Sequence, residues 1–464
     1  MPHGYKTYAA LYLGLGPEDL SPALVRKVVR QGGKDSFPEA SAELKEHHDL
    51  ELQAKQVQRI TEGCITDLTV PGYEEAAPGT RFGAAFYGAT PLGERCNFGD
   101  APITERVGQE WVGWRDQEVE MFKKGQLPRG YAKAPEVAAV MVDGGRLLTR
   151  AADQPPGVHQ PQWRGPRFAC CLSLQSFSQA QDPQPEPPAK FLGRERARKL
   201  VLEVQSRAGG PLGRTPPAPA APPAKAKKKR PPLTKRRVQR LVRTVVATMA
   251  GAEEFGYIVA AEVHRRGLDL AARKGYVCDG ELANWTIFEE HFRAQGFVPI
   301  LDFLHLLAHL YAAAQAAGGG PARQWARYLD WLRWAWGGQR EKLWAALCAA
   351  ASRAGAPPKG VGDQDPRLIL AQTVQYVEHN LERMDYPRYR KLGLPISSAP
   401  VESAIKQFNR RMKGTEKFWT PAGAEAVLQV RAAYLSEDGR AERYWNMPRP
   451  HYRAVGRNRL ALVA

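Results

Sequence analysis

The chain has 464 residues, which is too long for one compact core, so its length predicts two or three domains. Its 43% of hydrophobic residues, including 11 Trp, are sufficient to fill such cores. The 66 Lys and Arg exceed the 48 Asp and Glu and give a formal charge of +18 at pH 7. This charge favours a polyanionic partner, nucleic acid first, with an ordinary basic surface as the alternative.

The cysteines and the apolar runs exclude several classes of protein. No CxxC pair and no zinc-like or disulfide-like spacing occurs among Cys64, Cys96, Cys170, Cys171, Cys278 and Cys348, which predicts a reducing compartment. The N-terminus lacks a charged region followed by a long apolar run, and no stretch has eighteen consecutive apolar residues. We therefore expect a soluble, intracellular protein with no membrane partner.

The N-terminal part carries a helix-turn-helix candidate at residues 36–62. Ser36 is a suitable N-cap for a helix over 37–46, and a second helix is predicted over 51–60. The second helix would present long polar side chains to a major groove. The residues proposed to contact DNA there are Lys55, Gln56 and Arg59. An ordinary helical hairpin explains the same pattern.

The sequence EVAAVMVDGGRLLTR, from residue 136, predicts a β-hairpin. Its apolar run stops at Asp143, turns at Gly144 and Gly145, and resumes as RLLTR. The segment RFACCLSLQSF, residues 167–177, predicts a third strand. We therefore expect three strands in meander order, with an acid at the end of the first.

Residues 178–236 predict an extended linker, because they are rich in Pro, Ala and Lys. Its basic run suits a phosphate backbone, and a plain solubilising spacer is the alternative. Helices are predicted over about 235–249 and 253–266. The strand KGYVCD then ends at Asp279, and a further apolar run, FVPIL, ends at Asp302.

Residues 303–393 predict an almost wholly helical segment, since apolar residues recur at i, i+3, i+4 and i+7 between Gly and Pro breaks. Beyond it, Pro400 can start a helix that places Glu402 in its first turn. A last helix is predicted with Thr420 as N-cap and Pro421 at its first position.

Asp143, Asp279 and Glu402 form the candidate catalytic constellation. Acids at the ends of neighbouring strands of a mixed sheet can converge with an acid on a helix packed against them. Three carboxylates gathered in this way bind two Mg²⁺ or Mn²⁺ ions, which prefer oxygen ligands and lie about 3.5–4 Å apart. Such ions activate a water or a 3′-hydroxyl in phosphodiester displacement.

Each of these acids also has an ordinary structural explanation. Asp143 and Asp279 both precede glycine, as is typical of turns. The helix macrodipole stabilises an acid such as Glu402 in a first turn. A helix N-cap and a core histidine would account for Asp302 and His305. The coincidence of all these features with the basic charge and the helix-turn-helix candidate favours the metal site.

Four stretches resemble bacterial insertion-sequence transposases of the DDE type. They are VMVDGGRLLTR, CDGELANW, ILDFLHLLAHLY, and the long run that begins LERMDYPRYRKLGLPISSAPVESAIKQFNRRMKG. They are most similar to the ISKra-type branch, whose core is similar to that of Mutator-like elements. The resemblance covers about residues 136–440, more loosely 20–65, and is most specific over 394–435.

The resemblance implies an α/β fold with a ribonuclease H-like catalytic core, interrupted by an all-α insertion and preceded by a helix-turn-helix-like N-terminal region. The implied divisions are the DNA-binding region, the first part of the core, the insertion, the second part of the core and a tail, at residues 1–135, 136–302, 303–393, 394–440 and 441–464.

The resemblance also implies roles for the acids. Asp143, Asp279 and Glu402 would be the first, second and third metal ligands, with two Mg²⁺ or Mn²⁺ ions as cofactors. Asp302 and His305 match the acid-x-x-His motif of Mutator-like relatives and would brace the site. Asp302 also ends an apolar run and is the alternative second ligand. Asp279 is preferred because its Asp-Gly follows the strand after the two predicted helices.

The implied activity is binding of terminal inverted repeats, cleavage of each end and direct joining to target DNA, in the bacterial cytoplasm at the nucleoid. The partners would be double-stranded DNA and at least one further copy of the chain. Basic residues just after Glu402 are expected to contact phosphates, with a solvated helix face as the alternative. They are Lys406, Arg410, Arg411 and Lys413.

One departure from the family pattern supports an alternative function, and the two-metal site itself allows another. The family usually has Gly-Ser-Gly before Pro-Val-Glu, whereas this chain has Ser397, Ser398 and Ala399, which lack glycine's access to positive φ. A catalytically inactive relic that still binds DNA is therefore one alternative. A two-metal, structure-selective nuclease without strand transfer is another.

Overall fold

The computed structural model describes residues 103–207 and 238–446, apart from 131–133, 152, 155–158, 161 and 415–416, together with positions between 27 and 48. The strands in these ranges are β1 Val137–Gly144, β2 Leu147–Thr149, β3 Gln162–Arg164, β4 Arg167–Gln175, β5 Gln239–Thr248, β6 Arg273–Cys278 and β7 Val298–Leu301. The helices are α1 Phe37–His48, α2 Ile103–Lys123, α3 Arg194–Arg207, α4 Ala252–Arg265, α5 Leu282–His291, α6 Phe303–Ala316, α7 Pro321–Trp336, α8 Arg340–Ala354, α9 Pro366–Asn380, α10 Tyr386–Lys391, α11 Ala399–Met412, α12 Pro421–Leu435 and α13 Arg440–Asn446.

A five-stranded mixed sheet organises the chain, in the order β5-β4-β1-β6-β7. The β1–β4 and β4–β5 pairs are antiparallel, whereas β6 is parallel to β1 and β7 is parallel to β6. The parallel connections pass through helices, as parallel neighbours require. The predicted α/β class is thus confirmed.

Helices cover both faces of the sheet. On one face, the ring of Phe168 in β4 lies 4.9 Å from that of Phe408 in α11. Ser173 lies an odd number of positions further along β4 and so faces the other way, where it accepts a hydrogen bond from Arg266 at the end of α4. Burial on both faces explains why β1 and β4 are nearly continuous apolar runs.

The predicted hairpin between β1 and β2 is wrong. β1 pairs with β4, and β2 pairs with β3 in a separate two-stranded sheet. The Gly145 N–H donates to the Pro166 carbonyl in the gap, so one register runs from Val137 to Thr149. Asp-Gly-Gly is therefore an interruption within one arm of a long hairpin, not its turn.

The helix predicted over 235–249 is also wrong, because residues 239–248 form β5. The run LVRTVVAT is rich in β-branched residues, which suit a strand, and pairing with β4 overrides its weak helical periodicity. The neighbouring prediction over 253–266 is confirmed by α4.

Part of the predicted linker is folded. Residues 194–207 form α3, which buries Ala197 and Val201. Before it, the Asp182 carboxylate pairs with Arg390, and Trp336 donates its indole N–H to the Gln184 carbonyl at 2.8 Å. An extended linker therefore does not describe residues 178–207, and 208–237 lie outside the described residues.

The helices α6 to α10, residues 303–391, form what we call the helical segment, in agreement with the predicted periodicity. Its beginning and the chain just beyond its end meet, since Phe303 N–H donates to the Ile396 carbonyl at 3.0 Å. The helices predicted at Pro400 and Thr420 are confirmed by α11 and α12.

Two further expectations concern the ends of the fold and the membrane. The first helix of the helix-turn-helix candidate is present as α1, whereas the second, over 51–60, lies outside the described residues. No helix in the described part of the chain is both long and apolar enough to span a bilayer.

Candidate functional site

Three strands that run in the same direction end at acidic residues. Asp143 is the penultimate residue of β1, Asp279 follows β6 and Asp302 follows β7. Because β6 is parallel to both of its neighbours, these carboxyl ends lie at one edge of the sheet. Glu402 lies in the first turn of α11, which packs on β1 and β4. The charges of Asp302, Asp279 and Asp143 all act on His305, which lies in the first turn of α6.

Asp302 is held by donors on both carboxylate oxygens and has no exposed surface. Its Oδ1 accepts from the Leu304 N–H at 3.0 Å, as an N-cap of α6, and from the Ser398 N–H at 3.3 Å. Its Oδ2 accepts from the Ser398 hydroxyl at 2.7 Å and pairs with His305 Nδ1 at 2.5 Å. Asp302 thus fixes the start of α6 against the start of α11.

Ser398 connects Asp302 with Glu402. Its hydroxyl oxygen lies 3.5 Å from Glu402 Oε1, and both side chains are buried. Ser398 is also the residue from which α11 starts, since its carbonyl accepts from the Glu402 N–H at 3.1 Å. The orientation of the Glu402 carboxylate is therefore coupled to the Asp302–His305 pair.

The protonation states in this group follow from its geometry. Burial opposes a charge on His305, but the hydrogen bond and charge of Asp302, followed by Asp279 and Asp143, raise its pKa to about 9. Burial alone would raise the pKa of Asp302, but His305 and the other donors lower it. Burial, followed by the charge of His305, lowers the pKa of His309 to about 4. At neutral pH the Asp302–His305 pair is an ion pair and His309 is neutral.

Asp143 and Asp279 are held differently from Asp302. Asp143 is 9% exposed, and its Oδ1 accepts from the Gly144 N–H at 2.7 Å. Asp279 is half-buried, and its Oδ1 accepts from the Glu281 N–H at 3.1 Å and from Asn284 Nδ2 at 3.0 Å. The turn contact predicted for an acid before glycine is thus present at Asp279, whereas Asp143 lies within β1 and not in a turn.

The donor chemistry of this edge fits a hard cation. Asp302, His305 and Glu402 offer ligand atoms that all lie within 4.8 Å of one another, so this group could hold a metal ion. In the described part of the chain, Asp143 and Asp279 do not belong to a group that tight. Since Asp302 already accepts from several donors, a cation that used it would displace an existing hydrogen bond or the His305 ion pair.

The basic residues expected to contact phosphates do not share one environment. Lys406, Arg410 and Lys413 are exposed and follow Glu402 at helical spacing along one side of α11. These positive side chains form a basic stripe, Lys406, Arg410 and Lys413, that leads away from Glu402.

Arg411 differs, because it is buried and its guanidinium lies 5.2 Å above the ring of Trp419. The indole of Trp419 in turn donates to the Met412 carbonyl at 2.8 Å. Both side chains pack at the end of α11. The other basic candidates, Lys55, Gln56 and Arg59, lie outside the described residues.

Ser398 is the middle one of the three small residues before Pro400, and its backbone is ordinary. Its φ of −84° is one that any residue adopts. Sequence reasoning treated Ser398 only as a small residue. Its position at the start of the helix, four residues before Glu402, could have indicated that its side chain lies close to that of Glu402.

Two other residues beside Asp279 were missed. Asn284 lies five residues beyond the acid, at a spacing that alone indicates no contact, and Tyr376 comes from the distant helix α9. The Tyr376 hydroxyl donates to the Asp279 carbonyl at 2.8 Å. No local pattern in the sequence could have indicated that contact.

Comparison with known proteins adds no family to these observations. No family model matches the chain, and no curated protein matches it.

Proposed function

We propose that the chain is a metal-dependent DNA transposase of the DDE type, with a ribonuclease H-like core in which the helical segment is an insertion. The observation that carries this proposal is the placement of Asp143, Asp279 and Asp302 at one sheet edge beside Glu402. Acidic clusters of this kind suit phosphodiester chemistry with hard cations.

The topology supports the finer fold assignment. Three antiparallel strands, β1, β4 and β5, are followed by two strands that extend the sheet parallel to β1. The first acid ends the central strand, the second ends its parallel neighbour, and the third lies on a helix packed on the same sheet. This arrangement supports the proposal of a ribonuclease H-like core.

Asp143, Asp279 and Glu402 are the proposed metal ligands. Two Mg²⁺ or Mn²⁺ ions bound there would activate a water or a 3′-hydroxyl and stabilise the leaving oxygen. Asp279 is preferred to Asp302 because β6 is the direct neighbour of β1 and because the oxygens of Asp302 are already hydrogen-bonded. Asp302 and His305 instead hold Ser398, and through it Glu402.

The remaining contributions are positioning and charge neutralisation. The basic stripe Lys406, Arg410 and Lys413 leads from Glu402 and is proposed to contact the DNA backbone beside the cleaved bond. Water would first hydrolyse one phosphodiester at each element end, and the released 3′-hydroxyl would then attack a target phosphodiester. Because one phosphodiester replaces another in the second step, no energy source is needed.

The test is cleavage and joining of labelled duplexes that carry the DNA flanking the gene, in Mg²⁺ or Mn²⁺. The variants are Asp143→Asn, Asp279→Asn, Asp302→Asn and Glu402→Gln, with Asp330→Asn on the exposed face of α7 as the matched control. The proposal expects the first, second and fourth to bind DNA but to lose both steps, while the control keeps them. An active Asp279→Asn beside an inactive Asp302→Asn would reassign the second ligand.

Two other results would replace the proposal. A parent protein that binds the duplexes but cuts none in either metal would be an inactive relic with retained DNA binding. A parent that cuts branched duplexes without joining them would be a structure-selective nuclease. Co-purification of two copies on paired ends is the expected assembly, because both ends must be joined together.

A further inference from the structure

The helical segment reaches the carboxyl end of β6 at one point. The Tyr376 hydroxyl, on α9, donates to the Asp279 backbone carbonyl at 2.8 Å. One turn later, Asn380 accepts from the indole N–H of Trp285 at 2.9 Å, and Trp285 belongs to the helix that begins just after Asp279. Two hydrogen bonds from α9 therefore hold Asp279, just before α5, and Trp285, in the first turn of α5.

This contact is close-packed. Gly280 adopts φ +96°, and a Cβ placed there would lie 2.7 Å from the Tyr376 ring and 3.2 Å from Asn380 Nδ2. The next residue after the acid is thus pressed against α9, with no room for a side chain. The backbone that carries Asp279 thus packs against α9, and its carbonyl accepts a hydrogen bond from the same helix.

Tyr376 and Asn380, which make these two hydrogen bonds, are held in turn by further contacts. The ring of Tyr376 stacks on His309 of α6, with centroids 4.0 Å apart and planes 20° from parallel. Asn380 is 2% exposed and donates its amide to the Tyr376 carbonyl at 2.8 Å. The Arg383 guanidinium lies 4.3 Å from the centre of the Trp285 ring and donates to the side-chain oxygen of Asn380 at 3.4 Å. Residues of α6 and α9 therefore support the contact with this turn.

We propose that Tyr376 and Asn380 are positioning residues for Asp279, so that the helical segment forms part of the catalytic edge. This inference rests on the proposed function, in which Asp279 is a metal ligand. A backbone hydrogen bond to a ligand residue orients its side chain, and loss of such outer contacts typically weakens metal binding about 10-fold to 100-fold.

The test measures Mn²⁺ binding to the full-length protein without DNA, by electron paramagnetic resonance of the free ion. Tyr376→Phe removes one hydroxyl and keeps the ring that stacks on His309. Tyr389→Phe is the matched control. The Tyr389 hydroxyl also belongs to the helical segment, and it donates to the carbonyl of Pro299 in β7 at 3.1 Å. Asp279→Asn reports what full loss of the ligand does.

We expect Tyr376→Phe to raise the Mn²⁺ dissociation constant about ten-fold, with a parallel rise in the Mn²⁺ concentration for half-maximal cleavage. The Mn²⁺ dissociation constant of Tyr389→Phe should stay within about two-fold of the parent's, although both variants lose one hydrogen bond of similar strength. Asn380→Leu is the second variant, and it is expected to weaken Mn²⁺ binding in the same direction.

Two results would overturn the inference, and they differ. If both tyrosine variants match each other while Asp279→Asn loses Mn²⁺, the contact is merely structural and the proposed function stands. If Asp279→Asn itself keeps the parent's Mn²⁺ affinity and cleavage, Asp279 is not a ligand, and the inference fails together with the proposed ligand set.

Discussion

The ion pair between Asp302 and His305 predicts a specific dependence of stability on pH. Its perturbation is His305→Asn, which keeps a neutral donor of similar reach toward Asp302 but cannot be protonated. The pKa of His305 rises from 6.5 to about 9 in the folded chain. Protonated His305 therefore stabilises the fold fully below pH 6.5, and this stabilisation is lost as the pH rises through about 9.

The magnitude follows from the shift. At 1.36 kcal/mol per pH unit, protonation of His305 contributes about 3 kcal/mol below pH 6.5, about 2 kcal/mol at pH 7.5 and under about 0.5 kcal/mol at pH 9. Because the side chain is 11% exposed, solvent screens the pair little.

The assay is urea unfolding of the parent and His305→Asn between pH 6 and pH 9.5, in EDTA so that no cation competes for the ring. The free energy of unfolding of the parent relative to the variant should fall by about 3 kcal/mol across this range. A difference that stays constant with pH would refute the ion pair, because only a titrating group can make it vary.

Three further predictions follow from single contacts. Ser398→Ala removes the hydroxyl that joins the two buried carboxylates, so single-turnover cleavage should slow by about ten-fold with DNA binding retained; an unchanged rate would contradict the coupling. Burial, partly offset by a nearby arginine, raises the pKa of Glu118 to about 7. The parent should therefore lose stability as the pH rises from 4.5 through 7, whereas Glu118→Gln should not. Urea unfolding at pH 5 and pH 8 should show the variant gaining up to about 3 kcal/mol relative to the parent between these two pH values. Gly108→Ala should lower the thermal midpoint, because its Cβ would lie 2.1 Å from the Ala426 carbonyl oxygen, whereas Gly113→Ala on the same helix meets nothing within 4 Å and should raise it.

The sequence predicted the elements whose signals are local. Buried strands read as apolar runs, and these runs end at Asp143 within β1 and at Asp279 and Asp302 directly after β6 and β7. The beginnings of α11 and α12 follow from Pro in the first turn, and the N-cap of α12 is Thr420 as predicted. Strand pairing was harder, since Asp-Gly-Gly has the composition of a turn even though Gly145 lies within a hairpin arm whose register is set by β4.

The site itself was predicted only as a set of acids. The contacts of Asp302 with Ser398 join residues 96 positions apart, and that of Asp279 with Tyr376 joins residues 97 apart. Such contacts are fixed by packing and leave no periodicity in the sequence. Arg411 shows the converse, because helical spacing after Glu402 would have separated it from the exposed basic stripe that it was grouped with.

The hydrogen bond between Phe303 and Ile396 joins the two ends of the helical segment, so the segment is a long loop closed beside the sheet. The entropic cost of closing such a loop grows only with the logarithm of its length, so doubling the number of residues in the segment costs about 0.6 kcal/mol. Length can therefore be gained or lost far from this junction while the starts of α6 and α11 stay where they are. The short stretch of α9 that contacts the turn after β6 is different, and we expect tolerance to insertion to fall steeply there.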